Sequence, residues 1–120
     1  MEYITLFEAE TRLMNIIWDS EPLPSGKLVE LCRDKLGWKK STTYTMLKRV
    51  EEKGCAKNDQ SIVSSLISRN DVRTAESRQL VEQSFSGSLP GFLTAFFGEK
   101  KISKKEAEEL RRLIDSYEEV

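Results

Sequence analysis

At Gly54 the hydrophobic period of the chain changes, and this restricts what it can fold into more than any other feature. Before it, Thr43, Met46, Leu47 and Val50 recur at i, i+3, i+4 and i+7, the spacing that stacks side chains on one face of an α-helix. Ser41, Thr42, Tyr44, Thr45, Lys48 and Arg49 occupy the rest of that helix, a surface of hydroxyls and cations. The pattern predicts a helix from about Lys40 to Lys53, with Ser41 a candidate N-cap and Gly54 at the C′ position that closes helices. Beyond it, Cys55-Ala56-Lys57 and Ile62-Val63-Ser64-Ser65-Leu66-Ile67 read as short strands on either side of a polar turn, Asn58-Asp59-Gln60-Ser61.

Two further helices precede this pair. From Phe7 to Asp19, Leu13, Ile16, Ile17 and Trp18 alternate with Glu8, Glu10, Arg12 and Asn15 at helical spacing, and Pro22 and Pro24 stop the run. Ser25 stands where an N-cap is expected, Leu28, Leu31, Cys32 and Leu36 follow on one face, and Gly37 ends the segment. Three helices followed by a hairpin make a winged helix-turn-helix. The expected fold is mainly α with a small β-hairpin wing. A winged helix-turn-helix domain spans 1–69, and a helical dimerisation region spans 70–120.

In that second region a helix from about Asn70 to Phe85 carries Val72, Ala75, Leu80 and Val81. A Ser86-Gly87-Ser88 break follows, then a short apolar helix from about Leu89 to Phe97. The last helix opens with a capping box, Ser103-Lys104-Lys105-Glu106, and puts Ala107, Leu110, Leu113, Ile114 and Tyr117 on one side. Two short helices cannot hide the cluster Phe92-Leu93-Ala95-Phe96-Phe97, and self-association is its simplest use. Leu80, Phe92, Leu93, Phe96, Phe97, Leu110, Leu113 and Ile114 are therefore the expected homodimer interface.

Composition removes other classes of function. At 120 residues there is no room for two full-sized domains. With no histidine, Ser/His and Cys/His catalysis and most zinc sites are excluded, so the chain is not expected to be an enzyme or to carry a metal or cofactor. The N-terminus Met1-Glu2-Tyr3-Ile4-Thr5 has no basic start, Glu8, Glu10 and Arg12 break any apolar run, and no stretch could span a bilayer. A cytoplasmic protein without membrane contact is expected, with Cys32 and Cys55 as reduced core-filling thiols.

The net charge of −1 hides a basic window. From Arg33 to Lys57 eight lysines and arginines face three acids, a local charge of +5. A helix that reads double-stranded DNA needs cations for phosphates and short polar groups for base edges. Lys39, Lys40, Lys48 and Arg49 fit the first need. Ser41, Thr42, Tyr44 and Thr45, in the first turns, fit the second, with Thr42 and Tyr44 foremost. Trp38 reads as a packing residue. The wing brings Asp59 with only Lys57 to offset it, so its contacts are expected to be minor. The rival is a winged-helix domain used only for protein contact, which has no need of such a face.

Glu8-Ala9-Glu10 leading into Met14-Asn15-Ile16-Ile17-Trp18, and Ser41-Thr42-Thr43-Tyr44-Thr45 leading into Leu47-Lys48-Arg49-Val50 and Glu52-Lys53-Gly54, resemble the penicillinase-repressor (BlaI/MecI/CopY) family. The order of elements and Lys105-Glu106-Ala107-Glu108-Glu109-Leu110 extend the resemblance over nearly the whole chain. It implies a homodimeric repressor whose winged-helix domains enter the major groove at two half-sites, with C-terminal helices interlocking between subunits. Members guarding β-lactam resistance are cleaved at an Asn-Phe bond in the penultimate helix once a membrane sensor is triggered. This chain has Ala95-Phe96 there, which departs from the pattern that a sensor-protease partner would need. Copper-responsive members end in Cys-x-Cys motifs, which the tail Ser116-Tyr117-Glu118-Glu119-Val120 lacks.

Overall fold

The computed structural model describes residues 5–119, so Met1–Ile4 of the N-terminal reading and Val120 of the tail lie outside the described residues. In chain order the elements are α1 (Glu8–Ser20), β1 (Leu23–Pro24), α2 (Ser25–Leu36), α3 (Lys40–Glu52), β2 (Ala56–Asp59), β3 (Ile62–Ser65), α4 (Arg69–Ser84), α5 (Leu89–Phe97) and α6 (Lys104–Tyr117). The three strands form an antiparallel sheet in the order β1-β3-β2. Helices followed by this hairpin are the winged-helix arrangement the periodicity predicts. No helix among the described residues is long and apolar enough to cross a membrane.

The chain divides into two compact units, the first ending at Gln79 and the second beginning at Leu80, so the division falls inside α4. The first unit holds the core. Leu13, Met14, Ile16 and Ile17 of α1 pack with Leu28 and Cys32 of α2, Leu47 and Val50 of α3, and Leu23, Cys55, Ala56 and Val63 from the sheet side. Trp18 and Trp38 lie partly buried against this cluster, as packing residues. The Trp18 indole N–H donates to the Ile67 carbonyl at 2.9 Å, while Arg69 stacks over its ring and bonds the Asn15 carbonyl and Asp19. These contacts fasten the start of α4 to α1.

Several local details differ from the sequence reading. Ser25 is the first residue of α2, with Pro24 in the cap position, and Ser41 lies inside α3, whose cap residue is Lys39 with no side-chain bond. Extended backbone at Pro24 and Lys39 starts these helices without a hydroxyl cap. The hairpin is tighter than predicted: Asp59 pairs with Ile62, so Asn58 and Asp59 belong to the strand. Gln60 and Ser61, both at positive φ, make the whole turn, the two-residue geometry whose twist matches a hairpin. β1 has no counterpart in the sequence reading because a two-residue strand holds no alternation. Its proline is tolerated at the sheet edge.

Within the second unit, α5 is capped by the Ser88 hydroxyl, which accepts from the Gly91 N–H at 3.0 Å. α6 is capped by Ser103, which accepts from the Glu106 N–H at 3.1 Å, as the capping-box motif predicts. Phe85 and Phe92 meet edge to face at 5.5 Å, and Phe92 and Phe96 lie 5.9 Å apart. Neither α5 nor α6 buries a single residue.

Candidate nucleic-acid interface

α3 is positioned by its buried side. Thr43, Leu47 and Val50 are buried, and the Thr43 hydroxyl donates to the Lys39 carbonyl at 3.3 Å, which absorbs its polarity inside the core. The opposite side carries Ser41, Thr45, Lys48 and Glu52, spaced at i, i+4, i+7 and i+11 and all exposed, with Arg49 beside them. Lys39 and Lys40, exposed at the start of the helix, extend the same polar surface. None of Lys39, Lys40, Lys48 and Arg49 forms an ion pair among the described residues. The helix and its cap thus offer four exposed cations that no carboxylate among the described residues pairs with directly.

The eight residues singled out from the sequence share one helix and its cap, but they are not equivalent. Thr42 and Tyr44 are half-buried and flank the exposed stripe. The Tyr44 ring packs against the core, and its hydroxyl donates to the Ser25 hydroxyl at 3.2 Å, tying α3 to the start of α2. The Thr45 hydroxyl donates to the Ser41 carbonyl at 2.9 Å, which leaves its oxygen as an acceptor. In the wing, Lys57, Asn58 and Asp59 are exposed.

The C-terminal end of α3 is held by residues the sequence reading left on the outer face of α1. Glu10 is 2% exposed. Its carboxylate accepts from the Lys53 ammonium at 2.6 Å and from the Phe7 backbone N–H at 2.8 Å. The ammonium also donates to the Thr5 carbonyl at 2.7 Å and lies 4.4 Å from the centre of the Phe7 ring. Burial works to raise the Glu10 pKa, but the Lys53 and Phe7 hydrogen bonds and the charges of Lys53 and Arg49 outweigh it and hold the carboxyl below its ordinary 4.5. The sequence carries one signal for this pair, a glutamate at the third position of a helix, where it can reach back to the cap. Its basic partner lies 43 residues away and is set by the tertiary fold.

Glu10→Gln keeps an acceptor for the Phe7 N–H and removes the charge facing Lys53. It is expected to lower stability at pH 7 by about 1–2 kcal/mol in urea unfolding. Because the folded pKa is depressed, the stabilisation is present above the unfolded value and is lost as pH falls through the folded one. The gap between the two proteins should therefore close below about pH 4.5; a gap independent of pH would show that the charge is not what stabilises.

Cys32 and Cys55 are both buried free thiols, and burial pushes both pKa values up, which suits inert core residues. No group of three His, Cys, Asp or Glu side chains among the described residues could hold a metal ion.

Comparison with known proteins gives a consistent result. A family model described as the penicillinase repressor matches residues 6–116. The methicillin resistance regulatory protein MecI of Mammaliicoccus sciuri is 26% identical over 111 residues, covering 89% of this chain and 90% of its own length. MecI of Staphylococcus epidermidis gives the same values. A penicillinase repressor of Staphylococcus aureus is 23% identical over 111 residues, covering 89% of this chain and 88% of its own.

Proposed function

Because this chain belongs to the penicillinase repressor family, we propose that it is a cytoplasmic, sequence-specific DNA-binding repressor that acts as a homodimer on a pseudo-palindromic operator. The observation that carries the reading is the outward stripe of α3 and its cap, where four exposed cations that form no ion pair among the described residues accompany exposed hydroxyls. Lys39, Lys40, Lys48 and Arg49 bind phosphates, which fixes register and supplies most of the affinity. Ser41 and Thr45, at the outermost positions of the first turns, reach base edges. Thr42 and Tyr44 line the margins of the groove, and the Tyr44–Ser25 hydrogen bond keeps α2 and α3 at a fixed angle. The reaction is a binding equilibrium, so the chemistry required of these residues is hydrogen bonding and charge.

The homodimer reading is supported by the exposed apolar residues of α5 and α6. Phe96, Leu113 and Ile114 are 70%, 54% and 58% exposed, and Leu80 is 46% exposed. Apolar surface of this extent, most of it on α5 and α6, which bury no residue of their own, is the pattern of helices awaiting partner helices. Phe92, Leu93, Phe97 and Leu110 of the same two helices are half-buried and join them in the proposed interface. We read 1–69 as the DNA-binding domain and 70–120 as the dimerisation region. Ala95-Phe96 departs from the Asn-Phe pair that the family resemblance implies for cleavage, which speaks against release by a sensor protease.

Selection from random duplexes at near-physiological salt tests the reading. A two-fold-related motif should emerge, with half-site centres one helical turn or a multiple apart. Recovery of no motif, with only weak salt-sensitive binding, would favour a winged-helix domain that binds protein.

A further inference from the structure

Ser25 is 7% exposed and is held from several sides. Its backbone N–H, which has no partner within α2, donates to the Ser61 carbonyl in the hairpin turn at 2.8 Å. Just ahead of it, Leu23 and Pro24 pair with Val63 and Ile62 of β3, and the Glu21 carboxylate accepts from the Ser65 N–H and hydroxyl, each at 2.8 Å. Just after it, Leu28 and Cys32 carry α2 into the core. Ser25 is thus a fixed point where the hairpin, α2 and the core meet. Its hydroxyl is the group that accepts from Tyr44 at 3.2 Å. Tyr44 lies between Ser41 and Thr45 in α3, the two exposed hydroxyl residues of the outward stripe, so a shift of Tyr44 against this anchor turns both of them.

We propose that Ser25, a residue outside α3, is a specificity-determining positioning residue: acting through the Tyr44 hydroxyl, it fixes the angle at which α3 presents Ser41 and Thr45 to base edges. The inference rests on the reading of the protein as a DNA-binding repressor. The apolar packing of Leu47 and Val50 beneath α3 is non-directional, and the Tyr44–Ser25 bond adds a directional restraint to it. Hydrogen bonds to base edges weaken steeply once distance or angle leaves a narrow optimum, whereas a flexible lysine follows a phosphate through a larger displacement. A turn of α3 therefore costs discrimination between sequences before it costs phosphate contacts. Spent on Ser25, the Tyr44 hydroxyl acts on the operator through the placement of α3.

The test is a double-mutant cycle on the full-length protein. Ser25→Ala removes the acceptor and leaves the backbone bond to Ser61, while Tyr44→Phe removes the donor and leaves the ring. Each variant, at a temperature where circular dichroism shows it folded, should lower the preference for selected operator over random DNA by about tenfold, since a dimer loses the bond twice. The double variant should lose no more than either single one. The slope of log affinity against log salt should match the parent to within the ~0.9 that one phosphate contact contributes. A bond that serves stability alone would lower the urea midpoint and leave discrimination untouched, so a folded Ser25→Ala protein that discriminates like the parent overturns the proposal. Losses that add in the double variant also overturn it, because the two hydroxyls would then act separately. Should Ser25→Ala not fold, unchanged discrimination by Tyr44→Phe, which alters only a half-buried side chain, overturns the proposal from the other partner. Failure of the parent protein to select any operator would instead overturn the repressor reading on which it rests.

Discussion

Phe96→Glu is expected to turn the protein into a monomer and to weaken operator binding at least about a hundredfold, the loss that follows when two linked half-site contacts become separate ones. Phe96 is 70% exposed, so the substitution costs the single chain little. Its ring neighbours, Phe92 at 5.9 Å and Phe97 at 6.1 Å, can re-pack without it. The effect falls on association, where a carboxylate would be buried against another apolar face without a partner, at a cost of several kcal/mol. Sedimentation equilibrium reads the mass and a titration on selected operator reads the affinity. A dimer of normal affinity would remove the exposed face of α5 from the interface.

Leu47→Ala is expected to destabilise the first unit by about 2–5 kcal/mol, the range for a leucine removed from a packed interior. Leu47 is 2% exposed and belongs to the core cluster shared with α1 and α2. The cavity would open directly beneath the polar face of α3, so operator binding should fail at the temperature where the first unit melts. Urea unfolding measures the loss. Thr45→Ala, two positions earlier on the exposed stripe, should change stability by no more than about 0.5 kcal/mol and serves as the control. A loss under about 1 kcal/mol for Leu47→Ala would mean that the site collapses around the smaller side chain.

The two substitutions probe opposite sides of one design. The first unit has a closed core, with Leu13, Met14, Ile16 and Ile17 of α1 turned inward, and it presents a polar helix to solvent. The second unit closes nothing by itself. Its helices are capped and α5 is rich in aromatics, yet their apolar residues remain at the surface. Stability is thus concentrated where α3 is held, and the exposed apolar surface is concentrated in the other unit.

Much of this was legible in the sequence because it depends on neighbours in the chain. The 3.6-residue period set the inward face of α3, glycine set its end with Gly54 at φ 77°, and Ser103 with Glu106 set the start of α6. The polar face of α3 followed from the same period, and the family resemblance from residues that lie in order along the chain. Contacts between distant residues were decided only by the tertiary structure. Glu10 reads as a solvated charge until the fold delivers Lys53 to it, because burying a carboxylate is acceptable only with a partner that sequence spacing does not reveal. Tyr44 reads as an exposed hydroxyl until α2 brings Ser25 within 3.2 Å. β1 exists only because β3 supplies its hydrogen bonds, and two residues ending in a proline carry no periodicity of their own. Local propensity sets where helices begin, end and turn their apolar faces, while pairing across the fold sets which polar groups are left to meet another molecule.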